Sequence, residues 1–209
     1  IHTASQPYPL PQFNHNPSTG MMGTGVEVSE ISRMRDSFVE MRLRQENHTA
    51  GYWESIDNGL KQIELILNEP SENGIYQALE LFWNSLQELE PENEATRAVV
   101  LQRAEVVAET IRHNRSQLGK LRDNMNDVVH VKVGEINSIA KRIAELNEQI
   151  IKVKSSGYQP NDLLDQRDHL LQQLSKITNM EAVEDQYGAV MVSIGGATLV
   201  QRNQVFKLD

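Results

Sequence analysis

From about Glu94 to Val153 the chain runs sixty residues without a proline. Apolar side chains recur there at alternating steps of three and four: Val100, Ala104, Val107, Ile111, then Leu118, Leu121, Met125, Val128, and again Ile136, Ile139, Ile143, Leu146, Ile150, Val153. That spacing keeps them on one stripe of a helix wound at about 3.5 residues per turn, the seam of a coiled coil. At about 1.5 Å per residue the helix would extend roughly 90 Å. It cannot bury the stripe against itself, so partner helices must run alongside. Asn114 and Lys132 fall on the seam; polar seam residues cost stability but can fix register. Between Val128 and Ile136 the steps become four and four, a stutter that locally unwinds the supercoil. Val128 to Gly134 also has strand propensity. We read helix through it because the phase is regained, with a kink near Gly134 as the weak point.

The flanking segments fit partner helices. Residues 1–24 carry Pro7, Pro9, Pro11 and Pro17, which remove donors and push their neighbours to extended conformations, so the segment reads as an extended arm, with disorder as the equal alternative. Helical periodicity follows, with Ser29 as the expected N-cap and a stripe of Ile31, Met34, Phe38 and Met41, then Tyr52, Ile56, Leu60, Ile63 and Leu67. A turn containing Pro70 leads to a shorter helix with Ile75, Leu79, Phe82, Leu86 and Leu89 on one face, ended by Pro91. After the long helix, Ser155 to Pro160 breaks the pattern. Asn161 is expected to cap a last helix, with Asp162 and Asp165 near its positive end. Leu163, Leu164, Leu170, Leu171, Leu174 and Ile177 form its apolar face. A connection this short implies an antiparallel hairpin.

Beyond Thr178 the period changes to two. Val190, Val192 and Ile194 alternate with Met191 and Ser193, Asp185 to Gly188 reads as a turn, and Gly195-Gly196 is a hairpin signal. Return strands are expected at 198–201 and 205–208. A sheet this small cannot stand alone. The fold class is therefore mainly α: an elongated antiparallel helical bundle or coiled coil, then the start of a small antiparallel β domain. The division is an arm at 1–26, a helical rod at 27–178 and an incomplete β domain at 179–209.

Composition narrows the function. The net charge is −9 and Lys and Arg do not cluster, which argues against a nucleic-acid partner. No apolar run approaches 18 residues, so no membrane-spanning helix is expected. No secretory leader is visible, although the chain begins at Ile1 rather than Met and stops inside a β pattern, as a piece of a longer protein would. With no cysteine there are no disulfides, thiol nucleophiles or cysteine metal sites. No catalytic, cofactor or metal residues are assigned. Glu109 with His113, and Asp165 with His169, sit four apart and could each be half of a metal or acid–base site; the simpler reading is a surface charge contact.

Arg167 is less ordinary. It lies four after Leu163 and three before Leu170, in the middle of the apolar stripe. Either it snorkels, or it meets a partner carboxylate. A hairpin turning about Gly157 sets it opposite Glu148, and we expect a bidentate pair there fixing the helix register.

The octet Asn161, Asp162, Leu163, Leu164, Asp165, Gln166, Arg167, Asp168 closely resembles the signature of the flagellar hook-associated protein 1 family. Gly23 to Val28, Leu81 to Leu89, Glu135 to Ala140, Ile143 to Asn147 and Val190 to Gly196 are similar to further family segments. The resemblance implies a structural role without catalysis or cofactor, at the junction of hook and filament. Its implied partners are copies of itself in a ring, the hook protein, a second junction protein and, for the full-length chain, an export chaperone. It implies export through the flagellar type III apparatus to an extracellular place in the flagellum, and no nucleic-acid or membrane partner. Helix periodicity alone also fits a non-flagellar coiled-coil adaptor or receptor stalk, which would need neither the octet nor the switch to β structure.

Overall fold

The computed structural model describes residues 2–5, 13–16, 20–23, 30–33, 36–67, 71 and 74–209. The order is β1 (His2–Ser5), β2 (Phe13–Asn16), β3 (Gly20–Gly23), β4 (Glu30–Arg33), α1 (Ser37–Leu67), α2 (Ile75–Gln87), α3 (Glu94–Ser155), α4 (Asn161–Ile177), β5 (Met180–Glu184), β6 (Val190–Ile194), β7 (Ala197–Gln201) and β8 (Gln204–Val205). The fold is mainly helical and ends in a small antiparallel sheet, as the periodicities require. α3 runs 62 residues and is helical through Gly134. Two compact units form, one of residues 1–49 with 135–209, the other of 50–134.

In the first unit the proline-rich segment supplies strands. β1 pairs antiparallel with β4, and β2 with β3. This corrects the expected start of the first helix. Ile31 lies in β4, and α1 begins at Ser37; Ser29 and Met34 fall outside the described residues. The cap is Asp36, whose Oδ1 accepts from the N–H groups of Phe38 at 2.9 Å and Val39 at 3.2 Å. A carboxylate there satisfies two orphan donors and sits at the positive end of the helix, so the start falls where the cap is strongest.

The core of this unit joins α3, α4 and the sheet. Ile136, Ile139, Ile143, Leu146 and Ile150 from α3 cluster with Leu164, Leu170, Leu171 and Leu174 of α4, and with Val190, Val192, Leu199 and Val200 of the sheet. Ile143, Ile150, Leu174, Val192 and Val200 are fully buried. The sheet order is β5-β6-β7-β8. Gly195 and Gly196, with φ of 57° and 83°, make the two-residue turn between β6 and β7. Leu199 and Val200 are both buried, against strict alternation. The register slips between Val192 and Ser193, and that bulge turns two consecutive side chains inward. The last strand is shorter and earlier than expected, because Arg202 (φ 54°) turns the chain immediately after β7.

The second unit contains the end of α1, all of α2 and the first part of α3. Gly59 of α1 is buried against α3, and a Cβ there would meet Met125 Cε at 2.9 Å. Leu121, Ala78 and Ser85 are buried. Most of the expected stripe is not: Tyr52 and Leu60 of α1 and Ile111, Met125 and Val128 of α3 are exposed.

Candidate functional site

The signature octet opens α4. The helix starts at Asn161 itself, with Pro160 in the N-cap position and no side-chain cap bond there, so the expected capping role of Asn161 is corrected. A proline carries a fixed φ suited to a helix entrance, and the first-turn Asp162 sits at the dipole. Leu164 is buried and Leu163 half-buried against the core, as their place on the apolar stripe requires. Asp162, Asp165 and Gln166 face solvent.

Arg167 is fully buried, so snorkelling is excluded. Its guanidinium reaches Asn147, Glu184 and Gly188. Nη1 donates to the Gly188 carbonyl at 2.5 Å and to Asn147 Oδ1 at 3.3 Å; Nη2 donates to Glu184 Oε2 at 3.0 Å. The expected pair with Glu148 does not form. Glu148 faces solvent and takes Lys152 Nζ at 2.8 Å, and that hydrogen bond and charge hold its carboxyl below the ordinary value. The expected hairpin register holds to within one residue, but the helix face does not. Asn147 lies four after Ile143 and three before Ile150, on the buried stripe, while Glu148 lies about 100° further round.

Asn147 is the second member of the network and is also fully buried. Its Oδ1 accepts from the Val190 N–H at 3.0 Å, and its Nδ2 donates to the carbonyls of Val190 and Arg202, each at 2.8 Å. One α3 side chain thus satisfies backbone of two strand ends. Asn137 repeats the device ten residues earlier, donating to the Leu208 carbonyl and accepting from its N–H, both at 2.9 Å.

The loop that receives Arg167 is built by Asp185. Its Oδ1 accepts from the Tyr187 and Ala189 N–H groups at 2.9 Å each. Partial burial pushes the Asp185 carboxyl up. The two N–H groups and the Arg202 guanidinium, 3.4 Å away, outweigh that and hold it below the ordinary value. Gly188 has φ +89°, which aims its carbonyl at Arg167; a Cβ there would also strike Lys154, which pairs with Glu184 at 3.2 Å.

The acids of the octet face elsewhere. Arg33, the last residue of β4, lies 2.6 Å from Asp165 Oδ1 and 2.5 Å from Asp168 Oδ2. On α1, Asn47 Nδ2 donates to Ser175 Oγ at 3.4 Å. α4 is therefore a hub: one side holds the sheet through Arg167, another holds β4 through Asp165 and Asp168. Asn137, Asn147, Glu184 and Gly188 do not stand out in the reading of the sequence. Only Asn147 leaves a signal there, a polar side chain on a buried helical stripe.

Neither acid–histidine pair converges on a site. Asp165 is directed to Arg33, and His169 Nε2 lies 3.1 Å from Gln173 Nε2 on the exposed face. Glu109 and His113 line an open cleft of about 600 Å³ with Leu65 to Leu67 and Val106. Among the described residues no group of three His, Cys, Asp or Glu side chains is placed to hold a metal ion. No described helix is long and apolar enough to cross a membrane.

Comparison with known proteins gives this architecture a place. The family model for the flagellar hook-associated protein FlgK helical domain matches residues 60–209. Flagellar hook-associated protein 1 of Bacillus subtilis is 34% identical over 187 residues, which is 88% of this chain and 37% of that protein. The Salmonella typhimurium protein of the same name is 33% identical over 188 residues, 87% of this chain and 34% of its own length. The solved flagellar hook junction protein FlgK of Burkholderia pseudomallei superposes with a TM-score of 0.66 at 25% identity, covering 82% of this chain and 30% of that one. The chain thus spans about a third of the length of the relatives it matches. With the helical-domain match covering most of its length and the octet at the hub of its core, the chain belongs to the flagellar hook-associated protein 1 family.

Proposed function

We propose that this chain is a structural segment of the bacterial flagellum, working at the junction of hook and filament and performing no catalysis. The observation that carries the reading is its similarity to flagellar hook-associated protein 1 over 87–88% of its length. The geometry supports it. The octet, the feature most specific to the family resemblance, serves packing: its leucines line a core, its Arg167 holds a sheet and its Asp165 and Asp168 hold β4. Partners in this reading are further copies of the chain in a ring, the hook protein and a second junction protein, with an export chaperone for the full-length protein. The route out of the cell is the flagellar type III apparatus. An adaptor or stalk built on the seam alone needs neither the octet nor the sheet.

Deleting the gene tests this, with electron microscopy of the cells and a flagellin assay of the medium. The expected result is bare hooks with flagellin leaking into the medium. Normal filaments and swimming, with no paralogue to substitute, would sink the reading.

A further inference from the structure

The second unit carries two exposed faces that match each other. On α2, Tyr76, Leu79, Trp83 and Leu86 follow at steps of three, four and three, so they form one stripe. All four are exposed, Tyr76 by 69% and Trp83 by 63%. The opposite side of α2 is the one that packs, through Ala78 and Ser85. Exposed aromatic side chains at this density mark an interaction surface. Of the acids near it, Glu80 lies on α2, Glu88, Glu90 and Glu92 follow in the connection and Glu94 opens α3; residues 76–96 hold no Lys or Arg.

The other face lies on α3. Leu101, Glu105, Ala108, Arg112, Arg115, Gly119 and Arg122 recur at steps of four, three, four, three, four and three, again one stripe, with one acid and three arginines. Leu101 is 67% exposed, and the three arginines face solvent, Arg122 beside Asp123. Gly119 is a glycine inside a long helix, where it costs stability. A Cβ at Gly119 would meet nothing within 4 Å, so no contact among the described residues requires it. A bare backbone at the centre of an arginine stripe admits another helix closely. From Tyr76 to Leu86 and from Arg112 to Arg122 the two stripes each extend about 15 Å at 1.5 Å per residue.

The geometry points to the α2 stripe of one copy docking on the α3 arginine stripe of the next. This rests on the structural reading above and adds the surface by which the copies meet. Trp83 and Tyr76 present aromatic faces to arginine, and the acids around α2 meet the same cations. Because two different patches are used, the contact is head-to-tail and repeats, which generates a ring where the rotation closes.

These 209 residues hold no cysteine, so introduced thiols report on this contact. Trp83→Cys and Arg115→Cys are introduced singly and together into the full-length protein in flagellated cells, followed by mild oxidation. The pair should give a ladder of dimers, trimers and larger species, and neither the parent protein nor either single variant should give one. Dimers from Trp83→Cys alone would mean that two α2 stripes face each other, and would overturn the proposal. Monomers only, with the thiol introduced by Trp83→Cys shielded from a thiol reagent, would mean that another segment of the same chain covers the stripe, and would overturn it too. Charge reversal is the second arm. Glu80→Arg and Arg115→Glu should each reduce filament growth, and the double variant should restore it; no restoration counts against the pairing. Filaments that persist without any ladder would sink this interface and leave the structural role intact, which the gene deletion tests separately.

Discussion

The two ends of α3 carry the same apolar period and meet opposite fates. From Ile136 to Ile150 every seam side chain is 8% exposed or less. From Val100 to Val128 only Leu121 reaches that level, while Ile111, Met125 and Val128 are 39–57% exposed. The difference does not lie in the seam. It lies in what covers it: the later end has α4 on it and a sheet tied down by Asn137 and Asn147, and the earlier end has α1 against part of its surface, where Gly59 meets Met125. Period sets which side chains share a face. Burial, at about 25 cal/mol per Å² of apolar surface, comes only from the cover.

The sharpest test sets Leu171→Ala against Val128→Ala. Leu171 is 2% exposed and should lose about 2–5 kcal/mol in chemical denaturation. Val128, 57% exposed, should lose less than about 0.5 kcal/mol. Equal losses would break the comparison. Next comes the polar network. Asn147→Ala strips partners from Val190, Arg202 and Arg167 and should cost on the order of 3 kcal/mol. Arg167→Met should cost about 2 kcal/mol, and a double-mutant cycle between the two positions should show coupling above about 0.5 kcal/mol. Additive losses would mean that the two side chains act separately.

Glycines sharpen the contrast through sign. Gly188→Ala forces a Cβ into the left-handed region at φ +89° and should cost about 1–2 kcal/mol. Gly134→Ala, in the helical interior with open space around the new Cβ, should stabilise by about 0.5–1 kcal/mol. Thermal unfolding of both variants checks the pair. The smallest effect is the pH response of the Asp185 loop. Its carboxyl is held low in the folded state, so its contribution is present above the ordinary carboxylate value of about 4. That contribution is lost as pH falls through the lower folded-state value. Asp185→Asn should flatten that part of the stability–pH curve. A curve of unchanged shape would show that the loop does not feel the charge.

Much of the fold is legible in residue order. The seam locates α3, the leucine pattern gives the buried face of α4, and Gly195-Gly196 and Asp185 to Gly188 both form turns. The first helix starts later than Ser29 suggests. Serine caps by propensity, whereas Asp36 caps with a carboxylate and residues 30–33 are claimed by β1. Arg167 stands out as a cation on an apolar stripe, and the specific network around it explains how it is tolerated there. Its partners do not stand out. Glu184 and Gly188 lie 17 and 21 residues away, and nothing local in either marks it as the acceptor for a guanidinium.

Taken by itself, the order of residues determined the periods, the turns and the one charged side chain that sits on a buried stripe. These follow from backbone geometry within a few residues, which each segment carries with it. The tertiary structure alone decided which stretch of the seam is covered, which of two neighbouring residues, Asn147 or Glu148, meets Arg167, and where the first helix starts. Each is a competition between distant segments, and a rotation of about 100° around one helix is enough to exchange a buried partner for a solvated one.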